Sequence, residues 1–558
     1  MKITRAIGAM VVLTAMAACG GGGGGGDKAA TPAPSAPPTT TPTTPTTPPG
    51  PLELRLAVST PTISRQLSFG DDALTEVAGD WSATNLGSTQ VYLQVSDNQS
   101  TFAMPATRTS TPGRFAFSLP LSNTVLPGSS SGIITVRACE DVQCTKPFAN
   151  GMGTVAYTVD LARTQDWETT QATAAHNGYV AVTLDPAKFA KAWEWARPEV
   201  TTGALGPINP VATWERSVLV SEAFGTGGAT VYALNETDGS MRWRRQFPPV
   251  TPTSYHPPLS PPAVTDGRVY ITTTGQTEAT FLYSLNVYTG DLLTKSPFRT
   301  QWAQLLAPTV KNGQSYVQAG TYGGVVYAFD AITGRELWQG GGGSAGLNTP
   351  SVDNEGRVYV HGGVSLNVMS EATGVPLATI SSPPPDYPIS QSDYHAVAAL
   401  GLPDSITAPF SVVVPGGGGA SSNSNFSRPL KNYSFSTASV RWTSVKSYGG
   451  YPAVAKGIVY ATTNSAPRQL EAINERTGAV LWSWTPPGSE SFYRNVVVTN
   501  NLLFVSTNRA LYAIDLDTRK AVWESPTPGD VAISASRMIY VTTGASKSDG
   551  RVVAFRTR

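Results

Sequence analysis

An all-β chain, most of it one repeated four-stranded unit, is what this sequence predicts, and three observations carry that prediction. The first is a recurring hairpin. Residues 326–338 read VYAFDAITGRELW, and 231–243 (VYALNETDGSMRW), 470–482 (LEAINERTGAVLW) and 511–523 (LYAIDLDTRKAVW) repeat the pattern. In each copy an Asn or Asp (Asn235, Asp330, Asn474, Asp515) stands 8 residues before a Trp. The second is a strand pair ahead of the hairpins, as in 263–274 (AVTDGRVYITTT), 351–361, 453–463 and 497–507. The third is that the two ends of the array are incomplete in complementary ways. Residues 532–555 supply three strands and no Trp, whereas 189–193 (FAKAW) supply a Trp with no hairpin before it. One sheet shared by both ends would remove the edges that an open sheet exposes.

The chain of 558 residues opens on Lys2 and Arg5, an apolar stretch over 7–16 and the small residues Ala17 and Ala18 before Cys19. That is the layout of a processing signal, too short to span a bilayer. Met16-Ala-Ala-Cys19 resembles the bacterial lipobox, with Met where Leu is more usual. The resemblance implies a lipoprotein signal peptide over 1–19, with Cys19 acylated as the mature N-terminus. Several acyl chains hold far more firmly than one. Gly rather than Asp follows Cys19, which by the same resemblance favours the outer membrane, on its periplasmic side or its surface. Residues 20–26 are all Gly, and 27–51 are mostly Thr, Pro, Ala and Ser. Neither can bury a core, so 20–51 reads as a disordered tether reaching roughly 3 Å per residue in its Pro-rich part.

Residues 52–162 alternate apolar and polar at 52–58, 90–95, 114–119, 133–137 and 154–159, with Gly, Pro, Ser and Asn between. Short strands at this spacing predict an immunoglobulin-like β-sandwich. Cys139 and Cys144 sit close together in a chain bound for an oxidising compartment, which predicts a disulfide clipping a hairpin late in the domain. Zinc is the weaker reading, since no further Cys or His pair accompanies them. VRACEDVQC followed by VAYTVDL resembles the last strands of bacterial surface immunoglobulin-like modules.

The array occupies 163–558. Its hairpin positions, 235, 286, 330, 370, 474 and 515, are separated by 51, 44, 40, 104 and 41 residues. The long step hides a degenerate copy ending at Trp442. Four strands at a period near 40–45 is the arithmetic of a propeller blade. Counting by the residue at the Trp position gives Trp243, Thr294, Trp338, Ala378, Trp442, Trp482, Trp523 and Trp193. The fold class is therefore an eight-bladed β-propeller of four-stranded blades preceded by the sandwich. Within each hairpin the Asn or Asp accepts N–H bonds across the turn, and Gly239, Gly334 or Gly478 supplies the left-handed residue.

The pattern YAxDxxTGxxxW resembles the tryptophan-docking repeat of the pyrroloquinoline quinone (PQQ) propeller superfamily. The approach segment His176-Asn-Gly-Tyr179, Leu184-Asp-Pro186 and Trp193 is similar to the start of such propellers. The Trp has a physical role: a flat side chain at one blade's rim buries against the small Ala of the next, its indole N–H given a backbone acceptor. The docking set is Trp193, Trp243, Trp338, Trp442, Trp482 and Trp523. The seams at Thr294 and Ala378, where the Trp is missing, are expected to be weaker.

Charge is low and balanced, formally +1 with 14% charged residues, which excludes the clustered basic footprint of a nucleic-acid binder. Dehydrogenases of the PQQ superfamily hold the quinone and a calcium ion with an adjacent Cys-Cys pair and a Glu, Asn and Asp set; no Cys lies in the array. His176, His256, His361 and His395 are scattered without metal-ligand spacing, and no nucleophile elbow or phosphate loop is present. No catalytic, cofactor or metal residue is therefore assigned. Asp185 and Glu194 read as turn caps or solvated carboxylates. Trp214, Tyr255, His256, Trp302, Tyr322, Tyr387 and Tyr394 lie between hairpins and could grip a partner; 381–393 reads as an exposed loop. The expected function is a non-catalytic protein-binding scaffold of the envelope. Its layout resembles the propeller lipoproteins of the outer-membrane barrel-assembly machinery, the BamB family, which implies outer-membrane protein partners. A PQQ-dependent dehydrogenase-like or carbohydrate-binding use of the funnel is the alternative.

Overall fold

The computed structural model describes residues 50–558 apart from Asp72, Asn123 and the segments 199–207, 223–228, 248–258, 274–279, 300–306, 320–324, 342–348, 362–364, 382–396, 410–411, 414–425, 428 and 544–549. The readings of the lipobox, Cys19 and the tether fall outside these residues, apart from the tether's last two.

The first folded part has eight strands: β1 (Glu53–Val58), β2 (Thr62–Ser68), β3 (Leu74–Thr84), β4 (Val91–Asp97), β5 (Arg108–Ser110), β6 (Gly113–Pro120), β7 (Gly128–Cys139) and β8 (Pro147–Ala162). They form a three-stranded sheet, β1-β3-β6, and a five-stranded sheet, β2-β8-β7-β4-β5. The sheets share one core of alternating inward residues, with Trp81, Phe115 and Phe117 from the first meeting Leu93, Ile134, Val136 and Tyr157 from the second. Three of these strands carried no sequence signal: β2, β3 and the three-residue β5. In β3 the inward face mixes Thr75 and Gly79 with Val77 and Trp81, so no apolar alternation appears. Gly79 is there because a Cβ would collide with the Phe115 ring and the Ala57 carbonyl of the flanking strands. β2 is an edge strand with almost no buried face. The Cα atoms of Cys139 and Cys144 are 5.1 Å apart at the β7–β8 hairpin, within disulfide reach and on one sheet.

Among the described residues, five separate four-stranded sheets and one eleven-stranded sheet follow, and the latter divides into three blades because one long strand serves two of them, making eight blades of four strands. Blade 1 is Ala212–Trp214, Ser217–Ser221, Ala229–Asn235 and Met241–Phe247. Blades 2, 3 and 4 span 263–297, 309–340 and 351–381. Blade 5 is Ala399–Leu400, Ile406–Pro409, Pro429–Ser434 and the first half of Ser439–Ala455; the second half of that long strand opens blade 6, which ends at residue 484. Blade 7 spans 492–525. Blade 8 consists of Asp530–Ile533, Ile539–Thr543, Arg551–Arg556 and, as outer strand, Ala190–Ala196 from the start of the array. The register sets Trp193 opposite Ala554. Every blade carries the same bulge between its third and fourth strands. The second strands are buried on both faces wherever their side chains are described, Ser217–Ser221 and Leu502–Thr507 entirely so.

The seams between blades follow a rule that differs from the expectation. The Ala is the partner of the Trp within one sheet (Ala233 with Trp243, Ala328 with Trp338) and not the surface it docks on. The indole lies on the turn glycine of the next blade. A Cβ on Gly239, Gly290, Gly374 or Gly478 would fall less than 3.0 Å from Trp193, Trp243, Trp338 or Trp442 respectively. The same four indoles donate to the carbonyls of Glu236 (2.7 Å), Val287 (2.9 Å), Glu371 (2.8 Å) and Glu475 (2.9 Å). Docking thus needs both partners. After Trp482 the facing turn carries Arg519 in the left-handed region (φ 58°), and after Trp523 the shared blade has no such turn. Neither indole makes a hydrogen bond among the described residues, and Trp523 packs edge-on against Phe189 and Phe555 instead. At the two seams without Trp other groups fill in. Tyr270 donates its hydroxyl to the Ala331 carbonyl (2.9 Å) that an indole would take, with Ser296 on the Gly334 carbonyl. Beside Ala378, Phe435 packs under the Arg357 guanidinium (4.7 Å).

Two glycine substitutions separate docking from backbone strain. Gly313 and Gly374 both have φ near +70°, but a Cβ on Gly313 meets nothing within 4 Å. Gly313→Ala is expected to lower stability by about 1–2 kcal/mol. Gly374→Ala is expected to cost roughly 1–3 kcal/mol more, by displacing Trp338. Urea-unfolding midpoints followed by tryptophan fluorescence check this; equal shifts would contradict the docking rule.

Candidate functional site: the channel and the segment that fills it

In a ring of sheets the innermost strands leave one edge facing the central channel, and its N–H groups need acceptors. The segment 163–184, between the sandwich and the outer strand of blade 8, supplies them. The Trp167 carbonyl accepts from Thr213 N of blade 1 (2.8 Å), and the Glu168 carbonyl accepts from Val264 N of blade 2 (2.7 Å). Thr169 Oγ1 donates to the Pro308 carbonyl of blade 3 (2.8 Å). The carbonyls of Ala174, Ala175, Asn177 and Gly178 accept from Val352 (2.9 Å), Leu400 (2.9 Å), Val454 (2.7 Å) and Val498 (2.9 Å), of blades 4 to 7. Asp166 completes the circuit, accepting from Ala535 N of blade 8 (3.1 Å), Thr213 Oγ1 (3.0 Å) and Glu215 N (3.0 Å). One pass of chain thereby touches all eight blades.

So tight a circuit requires unusual backbone. Gln171, Ala172, His176 and Gly178 have φ of 57°, 81°, 49° and 61°. A Cβ on Gly178 would sit 2.8 Å from the Val496 carbonyl, so only glycine fits. Side chains fill the remaining space. Gln171 donates to the carbonyls of Pro452 (3.0 Å) and Val496 (3.1 Å) and accepts from Asn495, which itself bridges to Val531 (2.8 Å). His176 is fully enclosed: Nδ1 donates to the Thr170 carbonyl, and Nε2 lies 2.9 Å from the Thr309 hydroxyl. Burial pushes its pKa down to about 4, so the ring is neutral and structural. His361 is likewise buried beside Tyr433, its pKa lowered to about 3 by burial and then by Lys431.

On the open side of the circuit, the innermost strands of blades 6 and 7 approach closely, with a parallel bridge between Tyr451 and Asn495; Gly450 (φ 69°) permits this. Arg494 there pairs with the buried Asp530 of blade 8 at 2.7 Å. The ion pair holds the Arg494 pKa up, whereas burial pushes that of Asp530 up against the opposing pull of Arg494.

Of the other residues singled out from sequence, Asp185 caps a short turn by accepting from Ala187 N (3.1 Å). Glu194 is held by Lys191 and Arg551, which lower its pKa. Trp214 is buried beneath the Arg163 guanidinium (3.8 Å) and is no grip for a partner. Tyr255, His256, Trp302, Tyr322, Tyr387, Tyr394 and almost all of 381–393 lie outside the described residues. Sequence reading missed Asp166 and Gln171. The sole signal was their nearness to the recognised His176-Asn-Gly-Tyr179 stretch.

Glu168 offers a pH test of the filled channel. Its carboxyl is raised to about 7, by burial first and by the Asp166 charge second. A raised acid disfavours the ionised folded form, so its penalty is absent below the unfolded pKa, grows between the unfolded and the folded pKa, and is complete above the folded one. Glu168→Gln is expected to stabilise the protein by on the order of 1 kcal/mol near pH 8 and to leave it unchanged near pH 4.5. Unfolding midpoints at the two pH values check this; a loss of stability near pH 8 would contradict it.

Among solved structures, BamB from Moraxella catarrhalis is 13% identical, covering 64% of this chain and 100% of its own, with a TM-score of 0.46. A europium-containing methanol dehydrogenase is 12% identical, covering 70% of this chain and 98% of its own, with a TM-score of 0.50. The quinohemoprotein alcohol dehydrogenase of Comamonas testosteroni is 14% identical, covering 71% and 81%, with a TM-score of 0.51. At these identities the two dehydrogenases speak to the fold alone. No curated protein matches the chain in sequence. A family profile, that of the outer membrane protein assembly factor BamB, matches residues 153–293, 278–466 and 433–558. With the repeated blades, the docked tryptophans and the shared end sheet already in place, that coverage means the chain belongs to the BamB family of PQQ-like β-propeller repeat proteins.

Proposed function

We propose that this protein is a non-catalytic, lipid-anchored scaffold of the bacterial outer membrane, its propeller presenting loops to outer-membrane proteins during their assembly. Cys19 would carry the anchor, residues 20–51 would set the reach, and the immunoglobulin-like sandwich would stand between tether and propeller. The observation that carries this reading is the filled channel. The buried polar groups at the centre, Asp166, Gln171, His176 and Asn495, are engaged with the chain's own backbone and with one another. Surface, not interior, is what remains for recognition.

Geometry favours one side. Turns joining first to second strands, such as Glu215–Arg216 and Ser536–Arg537, face the sandwich: Arg216 donates to the Val125 carbonyl (3.2 Å) and Arg537 pairs with Asp71 (2.5 Å). The links from second to third strands and from blade to blade leave from the opposite side. The partner surface is assigned there.

The residues present do not fit a quinone with its calcium. Among the described residues no three His, Cys, Asp or Glu side chains gather to hold a metal ion, and the central groups are committed as above. Purified protein mixed with PQQ and calcium is expected to show no bound-quinone absorption band and no dye reduction with alcohols or sugars.

Site-specific photo-crosslinking in cells tests the scaffold reading. A crosslinker at the exposed Arg299 or Arg468, on the link side, is expected to capture an outer-membrane protein identifiable by mass. The same group at Ile332, on the turn side, is expected to capture none. Capture from Ile332 alone, or from no position, would contradict the assignment. Cys19→Ala is expected to abolish fatty-acid labelling and membrane association together.

A further inference from the structure

The sandwich and the propeller meet around a cavity of about 330 Å³. It lies within the range of ligand pockets. Phe69, Leu74, Leu121 and Val125 give it apolar walls, and Arg216 of blade 1 and Arg558 supply its charge. The charges around it are unevenly matched. Asp71, also in the wall, is taken by Arg537 and by Ser68 N. Glu236, behind Arg216, accepts from Ser534 and Tyr540. Arg558 donates to the Gly70 and Asp71 carbonyls. Arg216 is half-buried, stacks over Phe69 (4.9 Å), and among the described residues its side chain makes one hydrogen bond, from Nε to the Val125 carbonyl. Among the described residues no carboxylate pairs with it. Burial lowers its pKa, against the pull of the Glu236 charge behind it, which makes no direct ion pair with it.

A guanidinium whose planar fork has no carboxylate, set beside an apolar wall, matches one chemistry: a carboxylate attached to a hydrocarbon group. We propose that this junction cavity binds such an anion, with Arg216 taking the carboxylate and Phe69, Leu121 and Val125 covering the apolar body. A free peptide C-terminus ending in an apolar side chain and a short fatty acid share that chemistry. Either would also tie the sandwich to blade 1, because its two halves would touch different domains. The cavity is independent of the partner surface on the far side of the propeller.

Isothermal titration of the full mature chain tests this with three probes: N-acetyl-leucine, its neutral amide N-acetyl-leucinamide, and hexanoate. At about 10 mM, above the millimolar Kd expected for so small a ligand, at least one acid is expected to bind. The amide is expected to bind at least about tenfold more weakly than N-acetyl-leucine where the latter binds. Binding of N-acetyl-leucine alone identifies the peptide terminus as the source, and binding of hexanoate alone the fatty acid. Arg216→Gln should weaken acid binding at least about tenfold. Leu74→Glu adds a negative charge at an exposed rim position, 54% accessible, without touching the core, and should do the same if Arg216→Gln proves unstable. Binding of neither acid, equal binding of N-acetyl-leucine and its amide, or unchanged affinity in a folded variant would overturn the proposal.

Discussion

The open edge of the innermost strand is the constraint on which this architecture depends. Each blade pairs its strands with one another, but its first strand turns an edge toward the axis. Orphaned buried amides cost on the order of 1–3 kcal/mol each. A circuit of such groups could not be left open in a buried interior. The carbonyls of Trp167, Glu168, Ala174, Ala175, Asn177 and Gly178 accept from six of these strands, and Asn495 Oδ1 accepts from Val531 N in the first strand of blade 8. The backbone strain at Gln171, Ala172 and His176 is tolerated because those bonds over-determine the path.

The same segment bears on function. It occupies the position where a propeller could keep a ligand, and it commits His176, the one histidine of the recognised motif, to a neutral structural role. Asp166 stitches blade 8 to blade 1 at the place where the array's two ends share a sheet. The sandwich docks beside that point, through Phe69, Gly70 and Asp71 against Ala535, Arg537 and Arg216. Gly70 is required there, since a Cβ would sit 2.6 Å from the Ala535 carbonyl. Sandwich, array ends and central segment are thus joined at one corner.

Much of the fold was legible because its repeat is local. The Asn or Asp, the left-handed glycine and the Trp lie within nine residues of one another, so the hairpin is written in each copy. The shared blade was legible too, because Trp193 stood without a hairpin and the last repeat without a Trp. What docks on what was not legible. It depends on pairing a Trp in one blade with the turn of the next, some 40 residues away, and the Trp-to-Ala pairing proved to be within a sheet. The substitute locks, Tyr270 for a missing indole and Phe435 with Arg357 beside Ala378, use residues of other types with no spacing of their own. In the sandwich, β2 and β3 were hidden because an exposed edge and an inward Thr and Gly erase the alternation. The central circuit was visible only as a short motif, since its work is done by backbone carbonyls, which any residue carries.

Native-state hydrogen exchange of the channel-facing amides tests the filled centre most directly. The account predicts that Thr213, Val264, Val352, Leu400, Val454 and Val498, one in each of six blades, are all strongly protected. It also predicts that Gly178→Ala, which the Val496 carbonyl opposes, speeds their exchange together. Fast exchange at these amides in the unaltered protein, at the rate of open solvent-facing strands, would contradict a channel closed by the chain itself.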